Sequence, residues 1–225
     1  SSSAASDVYK RQHAWYADKN IRFIAGDPAV RIDRPRKHVY TEKGLKVDYD
    51  RLILATGSKP FIPPVKGSDL KGVLSFRDIY DVNTMLDYSK SKKNAVVIGG
   101  GLLGLEAAYG LKQRGMNVTV LHLMDRIMER QLDSKASQML RHSIEQKGIS
   151  IITEANTEEL IGVDGHVSQV RLKDGTVLDA DLVIFAVGIR PNMALAQSAG
   201  LRCNRGVLVN DTMQTYDPSI YAVGE

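Results

Sequence analysis

The chain has 225 residues, of which 43% are hydrophobic and 25% charged, and these values are ordinary for a globular protein. They exclude a collagen and a disordered chain, and the single cysteine, Cys203, excludes an internal disulfide, a redox pair and a thiolate zinc site. The formal net charge is a mild +4, and the basic clusters at residues 34–38 and 90–93 contain no aromatic residues, which favours solvated surface over nucleic-acid binding. No apolar run is long enough to span a membrane. We therefore expect a soluble, cytoplasmic protein with no nucleic-acid or membrane partner.

The two ends of the chain are unusual. Ser1–Gln12 is rich in serine and small residues but lacks the apolar core of a signal peptide, so we interpret it as a non-native or disordered leader. Ser219–Glu225 is typical of a strand that runs into a turn, and no further residues follow to pack on it. We therefore expect the chain to be a fragment of a longer protein.

The first part of the chain contains short segments in which apolar and polar side chains alternate. Together they predict an antiparallel meander, and they are Ile21–Ala25, Ala29–Asp33, His38–Thr41 and Leu45–Asp48. The continuous apolar run Leu52–Ala55 is typical of a fully buried strand and is followed by the turn Thr56-Gly57 and a proline-rich loop. Apolar spacing over Arg77–Tyr88 predicts a helix.

From residue 95 onward, buried strands alternate with helices. The predicted strands are Ala95–Ile98, Asn117–His122, Ser150–Thr153 and Leu182–Ala186. The predicted helices are Leu102–Arg114 and a second one that Ser134 caps and that ends at Gly148. Three short alternating segments, near residues 158–163, 167–172 and 176–178, precede the last strand. This order predicts a nucleotide-binding α/β layer with a β-meander inserted before its last strand.

The strongest chemical signal is the glycine turn between the first of these strands and the first helix. Gly99, Gly101 and Gly104 have the spacing of a dinucleotide-binding turn. Gly99 permits the tight turn, Gly101 lets a pyrophosphate approach the backbone, and Gly104 lets the helix pack close to the strand. The free N–H groups of the helix then face the phosphates. The strand before the turn and the helix after it favour nucleotide binding over a purely structural turn.

The end of the next strand usually selects the cofactor, because a carboxylate there binds the ribose hydroxyls of NAD. His122 holds that position here. A neutral imidazole could bond a ribose hydroxyl, whereas a protonated one, helped by Arg126 and Arg130, would accommodate a 2′-phosphate. An exposed histidine among ordinary surface arginines is an equal alternative, so the sequence leaves the choice between NADH and NADPH open.

Other catalytic patterns are absent from the sequence. The five histidines match no zinc spacing, and neither a Walker lysine loop nor a GxSxG turn occurs. Cys203 has neither a histidine partner nor a resolving cysteine, which favours an inert thiol. We therefore predict no metal site.

Four ordered motifs, spanning about residues 20–225, resemble those of the two-dinucleotide-domain flavoprotein reductases, the pyridine nucleotide–disulfide oxidoreductase superfamily. They are Tyr49–Leu52 leading to Ala55–Gly57, the glycine turn with Glu106, Ala186–Asn192, and Asp217–Glu225. Within the superfamily, four segments resemble in particular the flavoprotein part of the NAD(P)H-dependent assimilatory nitrite reductase large subunits. They are Gly99–Ala108, Gln131–Asp133, Gly188–Pro191 and the final Gly224-Glu225. Many other members have Gly-Asp at the final motif.

The resemblance implies a three-layer ββα fold that binds FAD and NAD(P)H, present here in part. Residues 13–88 would form part of the FAD domain, residues 89–200 the NAD(P)H domain, and residues 201–225 the returning FAD segment. The implied FAD contacts are Ala29, Thr56, Gly57, Arg77, Gly224 and Glu225. The implied NAD(P)H contacts are Gly99, Gly101, Leu102, Leu103, Gly104, Glu106, His122, Val187 and Gly188. Glu106 is also the implied catalytic residue, near the nicotinamide and the flavin, although a helix N-terminus favours an acid there without any catalytic role.

The function implied by the resemblance is transfer of hydride from NAD(P)H to flavin, with electrons passing onward to nitrite. The expected partners are the nicotinamide nucleotide and a downstream redox domain or a small electron-carrier protein. Siroheme and an iron–sulfur cluster would belong only to the downstream region. The alternatives are a rubredoxin or ferredoxin reductase, an NADH oxidase, and a nucleotide-binding fragment that is inactive by itself. The sequence leaves open whether the chain forms a homodimer.

Overall fold

The computed structural model describes residues 13–225, so the predicted leader lies outside the described residues. The chain divides into two compact units. The first unit comprises residues 13–57 and 191–225, and the second unit comprises residues 58–190. The boundaries predicted at residues 88/89 and 200/201 separate cofactor-binding domains, and they stay a prediction. No helix in the described part of the chain is long and apolar enough to cross a membrane.

The elements are numbered in chain order. The strands are β1 (Ala29–Asp33), β2 (His38–Thr41), β3 (Lys46–Asp48), β4 (Leu52–Leu54), β5 (Ser58–Pro60), β6 (Val73–Ser75), β7 (Asn94–Ile98), β8 (Asn117–Leu121), β9 (Ile149–Ile152), β10 (Thr157–Val163), β11 (His166–Leu172), β12 (Val177–Asp179), β13 (Leu182–Phe185), β14 (Ile189–Pro191) and β15 (Ile220–Ala222). The helices are α1 (His13–Asp18), α2 (Ile79–Ser89), α3 (Leu102–Gln113), α4 (Ser134–Glu145) and α5 (Ala194–Ser198).

The first unit contains the predicted antiparallel meander, with the strand order β1-β2-β3, and a parallel pair formed by β4 and β15. Buried apolar side chains from both parts form its core, and they are Ile32, Leu54, Ala196, Leu201 and Ile220. Two predictions are wrong in this unit. Ile21–Ala25 forms no strand. The run at β4 is not fully buried, because Ile53 is 62% exposed on the face opposite to the core.

The second unit is built on a five-stranded parallel sheet with the order β6-β13-β7-β8-β9. Successive residues of β7 point to opposite faces of this sheet, as a strand requires. Ala95 and Val97 pack with the helices, whereas Val96 and Ile98 pack with the meander β10-β11-β12. The unit therefore has three layers, meander, sheet and helices, which confirms the predicted ββα arrangement.

Several ends in the second unit differ from the predictions by one to three residues, the largest difference being at α4, which ends at Glu145 rather than at Gly148. The cap of α4 is Asp133 rather than Ser134, since a carboxylate oxygen of Asp133 accepts a hydrogen bond from the N–H of Ala136 at 2.8 Å. Strand β6, at the edge of the sheet, was not predicted, because it is only three residues long and its residues are half-buried, so the sequence shows no clear strand pattern there. Its pairing with β13, far away in sequence, gives it its structure.

Candidate nucleotide-binding site

The glycine turn lies at the carboxyl end of β7, the position where open parallel sheets bind their ligands. Gly99 has a φ of +124°, and a Cβ there would lie 2.3 Å from the carbonyl oxygen of Ala186. A Cβ on Gly104 would lie 1.9 Å from the carbonyl oxygen of Gly99. Both glycines are therefore required by close packing within the turn, in agreement with the roles predicted for them.

Gly101 has different surroundings. A Cβ built on this residue would meet nothing within 4 Å, and its φ of −84° is open to any residue. Gly101 is the N-cap of α3, and no side chain caps this helix. The first N–H groups of α3 thus face an open cradle above Gly101, which fits the pyrophosphate of a dinucleotide.

The turn that follows β13 lies beside the glycine turn, because the carbonyl oxygen of Ala186 approaches Gly99. This contact brings Val187 and Gly188 to the same edge of the sheet. Gly188 has a φ of +113°, and Val187 is 37% exposed. On α3, Leu102 and Leu103 are exposed apolar residues, and they lie directly after Gly101.

Glu106 lies further along α3 and is also exposed. The structure thus gathers the predicted NAD(P)H residues of the second unit around one sheet edge. The individual contacts of these residues with the cofactor stay predictions.

His122 follows β8 and is largely buried, with 11% of its side chain exposed. Its Nδ1 accepts a hydrogen bond from the N–H of Gly100 at 3.0 Å, and its Nε2 lies 3.0 Å from Oε2 of Glu129. Both ring nitrogens therefore have partners in the protein. This arrangement differs from the predicted one, because the imidazole has no nitrogen left to bond a ribose hydroxyl directly.

Glu129 is the residue near this site that sequence analysis missed. It follows His122 by seven residues and lies in an irregular segment, so neither strand nor helix periodicity places it. The sequence contained one signal for it. Position 122, where dinucleotide-binding folds usually have Asp or Glu, is a histidine, so a carboxylate near the ribose would have to come from another residue. The two arginines predicted to assist a phosphate have acidic neighbours, since Arg126 Nη1 lies 3.2 Å from Asp125 Oδ2 and Arg130 Nε lies 3.7 Å from Glu129 Oε1.

Four of the predicted FAD residues lie in two turns of the first unit. Thr56 and Gly57 follow β4, and Gly224 and Glu225 follow β15. Because β4 and β15 are parallel neighbours, their carboxyl ends meet at one edge of the sheet. Gly57 and Gly224 both have positive φ, and a Cβ on either would meet nothing within 4 Å. These two turns therefore leave backbone accessible at the same edge, as a bound cofactor would require.

The other two predicted FAD residues belong to neither of these turns. Ala29 is exposed at the start of β1, in the first unit. Arg77 belongs to the second unit, where its Nη2 donates a hydrogen bond to Ser58 Oγ at 2.8 Å and its N–H donates to Asp81. Contacts of either residue with FAD stay predictions.

The sequence profile of one family, described as pyridine nucleotide-disulphide oxidoreductase, matches residues 2–225. The chain belongs to this family. It is 50% identical over 219 residues to an NAD(P)H nitrite reductase of Bacillus subtilis (strain 168), a match that covers 97% of this chain and 27% of that protein. It is 39% identical to the large subunit of an NADH nitrite reductase of Escherichia coli (strain K12), covering 98% of this chain and 26% of that one.

Solved structures agree with the family assignment. A ferredoxin reductase from Rhodopseudomonas palustris superposes with a TM-score of 0.92 at 32% identity, covering 95% of this chain and 53% of that one. A putidaredoxin reductase, solved in covalent complex with putidaredoxin, superposes with a TM-score of 0.90 at 35% identity, covering 95% of this chain and 52% of that one. The predicted fold class and the resemblance to nitrite reductase large subunits are confirmed.

The family binds FAD and NAD(P)H, so the cofactors predicted for the chain are those of its relatives. The chain spans 27% and 26% of the two nitrite reductases and about half of the two solved reductases. Relatives also work with electron carriers, as the putidaredoxin complex illustrates. The disulfide chemistry in the family's name cannot occur within this chain, whose sequence contains Cys203 alone. Burial raises the pKa of that thiol, which lowers its reactivity further.

Proposed function

We propose that the chain is the nicotinamide-nucleotide-binding part of an NAD(P)H-dependent flavin oxidoreductase of the nitrite reductase type. Electrons taken from NAD(P)H would be passed on to the reduction of nitrite in the cytoplasm, through a downstream redox domain or a carrier protein. The observation that carries the proposal is the cradle above Gly101, with an uncapped helix start beside it. Identity of 50% to a nitrite reductase supports the choice of acceptor.

The residues of the chain would act by binding and orienting the cofactors. The N–H groups at the start of α3 would hold the pyrophosphate, because the helix dipole favours negative charge there. Val187, Gly188 and the exposed Leu102 and Leu103 would flank the nicotinamide, and Glu106 would lie close to it. When both cofactors are bound, they supply the hydride-transfer chemistry themselves.

The FAD contacts would come from the two turns at the shared edge of β4 and β15. The carboxylate of Glu225 would bind the hydroxyls of the flavin side chain, and Thr56 and Gly57 would line its other side. Ala29 and Arg77 would add further contacts. We also propose that two copies of the protein associate as a homodimer.

The test is nucleotide binding by Gly101→Val, measured by calorimetric titration with NADH. The two γ-methyl groups would fill the space that the pyrophosphate needs. Overpacking of this kind costs about 1–3 kcal/mol, so the affinity should fall about fivefold to 150-fold. Because a Cβ at this position meets nothing, the fold should be retained.

The matched control is Gly110→Val on the exposed face of the same helix, where a Cβ also meets nothing within 4 Å. This variant should bind NADH like the unaltered chain. Equal affinity of all three proteins would mean that the glycine turn has a structural role only and would contradict the proposal.

A rubredoxin reductase is the second candidate, since the chain is 34% identical to such an enzyme of Pseudomonas putida over 100% of this chain and 58% of that one. The two functions share the nucleotide site and differ in the acceptor. Reduction of nitrite, rather than of added rubredoxin, by the flavin-loaded full-length protein would favour the nitrite reductase type.

A further inference from the structure

The segment that follows β8 folds back onto the glycine turn. The N–H of Met128 donates a hydrogen bond to the carbonyl oxygen of Gly100 at 3.0 Å, and Met128 adopts a φ of +52°. The neighbouring Ile127 is 1% exposed, and its carbonyl oxygen accepts a hydrogen bond from the buried hydroxyl of Ser137 at 2.8 Å. A left-handed conformation is costly for a residue such as methionine, and these contacts maintain it. The backbone next to Glu129 is therefore tied to the turn.

The side chain of His122 links the same two parts of the molecule. Nδ1 accepts the hydrogen bond from Gly100, so the proton of the ring lies on Nε2 and is donated to Oε2 of Glu129. Replacing Gly100 by a residue with a Cβ would bring that atom within 2.9 Å of the imidazole, which shows how closely the ring covers the turn. His122 thus fixes the position of Glu129 relative to the glycine turn.

In a nucleotide-binding fold of this type, NAD is selected by a carboxylate at the end of the second strand of the βαβ unit, which is β8 here. The carboxylate bonds the ribose hydroxyls and repels a 2′-phosphate. In this chain β8 ends at Leu121 and His122 follows it, so the carboxylate bound at that position is the one that Glu129 brings to His122. We infer that Glu129, held in place by His122, is the residue that makes this site prefer NADH over NADPH, and that His122 acts as a positioning residue. This inference depends on the proposed function, since it concerns the same nucleotide site.

The charges around Glu129 agree with this role. Its side chain is 24% exposed, so it is accessible from the surface while one of its oxygens is bound to His122. Arg130 Nε forms an ion pair with the other oxygen at 3.7 Å, a separation longer than a hydrogen bond, and the Arg130 side chain is 83% exposed. Arg126 contacts Asp125 instead. Oε1 of Glu129 thus keeps its capacity to accept hydrogen bonds from a ribose.

The experiment compares two probes of the adenosine half of the cofactor, ADP-ribose and 2′-phospho-ADP-ribose, which bind without any need for flavin. Dissociation constants are measured by calorimetry for the unaltered chain and for Glu129→Gln. The amide keeps the size of the side chain and can still accept the proton of His122, but it carries no charge. Hydrogen bonds to charged groups are stronger than those to neutral ones, so the preference for ADP-ribose should fall about tenfold or more.

Two further variants separate this role from general damage to the fold. Glu158→Gln removes an exposed carboxylate from β10 in the same unit and should leave the preference unchanged. His122→Asn should retain a bond from Gly100 but not reach Glu129, and should also reduce the preference. If these residues had a purely structural role, the variants would weaken the binding of both probes equally and leave the ratio of the two dissociation constants unchanged.

The outcomes distinguish the inference from the proposed function. If the unaltered chain binds ADP-ribose but Glu129→Gln leaves the ratio of the two dissociation constants unchanged, the inference alone is overturned. Failure of the unaltered chain to bind either probe would overturn both. A lower ratio in Glu129→Gln and His122→Asn, but not in Glu158→Gln, is the expected result.

Discussion

At the scale of single residues, the glycines of one turn differ in what surrounds them. Gly104 lies against the backbone of Gly99, whereas Gly101 faces open space. The sequence spacing assigns both to a dinucleotide turn, but only the structure separates the glycine that packing needs from the one that a ligand needs. The two should therefore respond differently to the same substitution.

Gly104→Ala should destabilise the second unit. A Cβ there would lie 1.9 Å from a backbone oxygen, which cannot move aside as a flexible side chain would. The expected cost is about 1–3 kcal/mol in the free energy of unfolding, measured by urea denaturation. Gly101→Ala is the control and should cost less than about 1 kcal/mol, mainly because alanine is a poorer N-cap. Equal costs for the two variants would contradict the role assigned to Gly104.

At the scale of elements, the well-predicted parts are those with a strong local pattern. The apolar run of β7, the glycine turn and the helix α3 were found almost to the residue, because a strand buried on both faces needs a continuous apolar run. The inserted meander was also found, since each of its strands has one face in the core.

The strands that sequence analysis missed depend on distant partners. β5 and β14 are three residues long and pair with each other, and β6 pairs with β13 at the edge of its sheet. Ile21–Ala25 has the alternation of a strand but no pairing partner in the described structure, so it forms none. Glu129 was missed for a related reason, since its position depends on hydrogen bonds to His122 and on the backbone of Met128 rather than on any periodic pattern.

Helix α2 offers a test of local stabilisation. Asp78 caps it and accepts hydrogen bonds from the N–H groups of Tyr80 and Asp81, and the Asp81 carboxylate lies 3.4 Å from the N–H of Asp78, which completes a capping box. Asp78→Ala should lower the free energy of unfolding by about 1 kcal/mol. Asp87→Ala near the other end of the helix is the control and should change it by less than about 0.5 kcal/mol. Denaturant unfolding of both variants makes the comparison, and similar losses would show that the cap does not stabilise the helix.

At the scale of the whole molecule, the first unit is assembled from two parts of the chain that flank the second unit in sequence. Strand β15 returns to pair with β4, and Arg34 binds Asp217 across 183 positions, with Nε and Oδ2 2.8 Å apart. Arg34 also donates to the carbonyl oxygen of Ala199. Neither connection has a local sequence signal, which is why the motifs predicted the family but not the pairing that joins these segments.

The ion pair between Arg34 and Asp217 should make the first unit sensitive to acid. Burial alone would raise the pKa of Asp217, but hydrogen bonds from Arg34 and from the N–H of Ser219 outweigh it and lower the pKa below its usual value near 3.8. A carboxylate with a lowered pKa in the folded state contributes stability above its unfolded pKa, and that contribution is lost as the pH falls through the folded value. Asp217→Asn should therefore lower the free energy of unfolding by about 2 kcal/mol at pH 7. Below about pH 4, the stability of this variant should fall less with decreasing pH than that of the unaltered chain. The test is to measure the free energy of unfolding of each variant from pH 7 to pH 2. Asp50→Asn, which changes an exposed carboxylate, is the control. The same acid dependence in Asp217→Asn and in the unaltered chain would contradict the prediction.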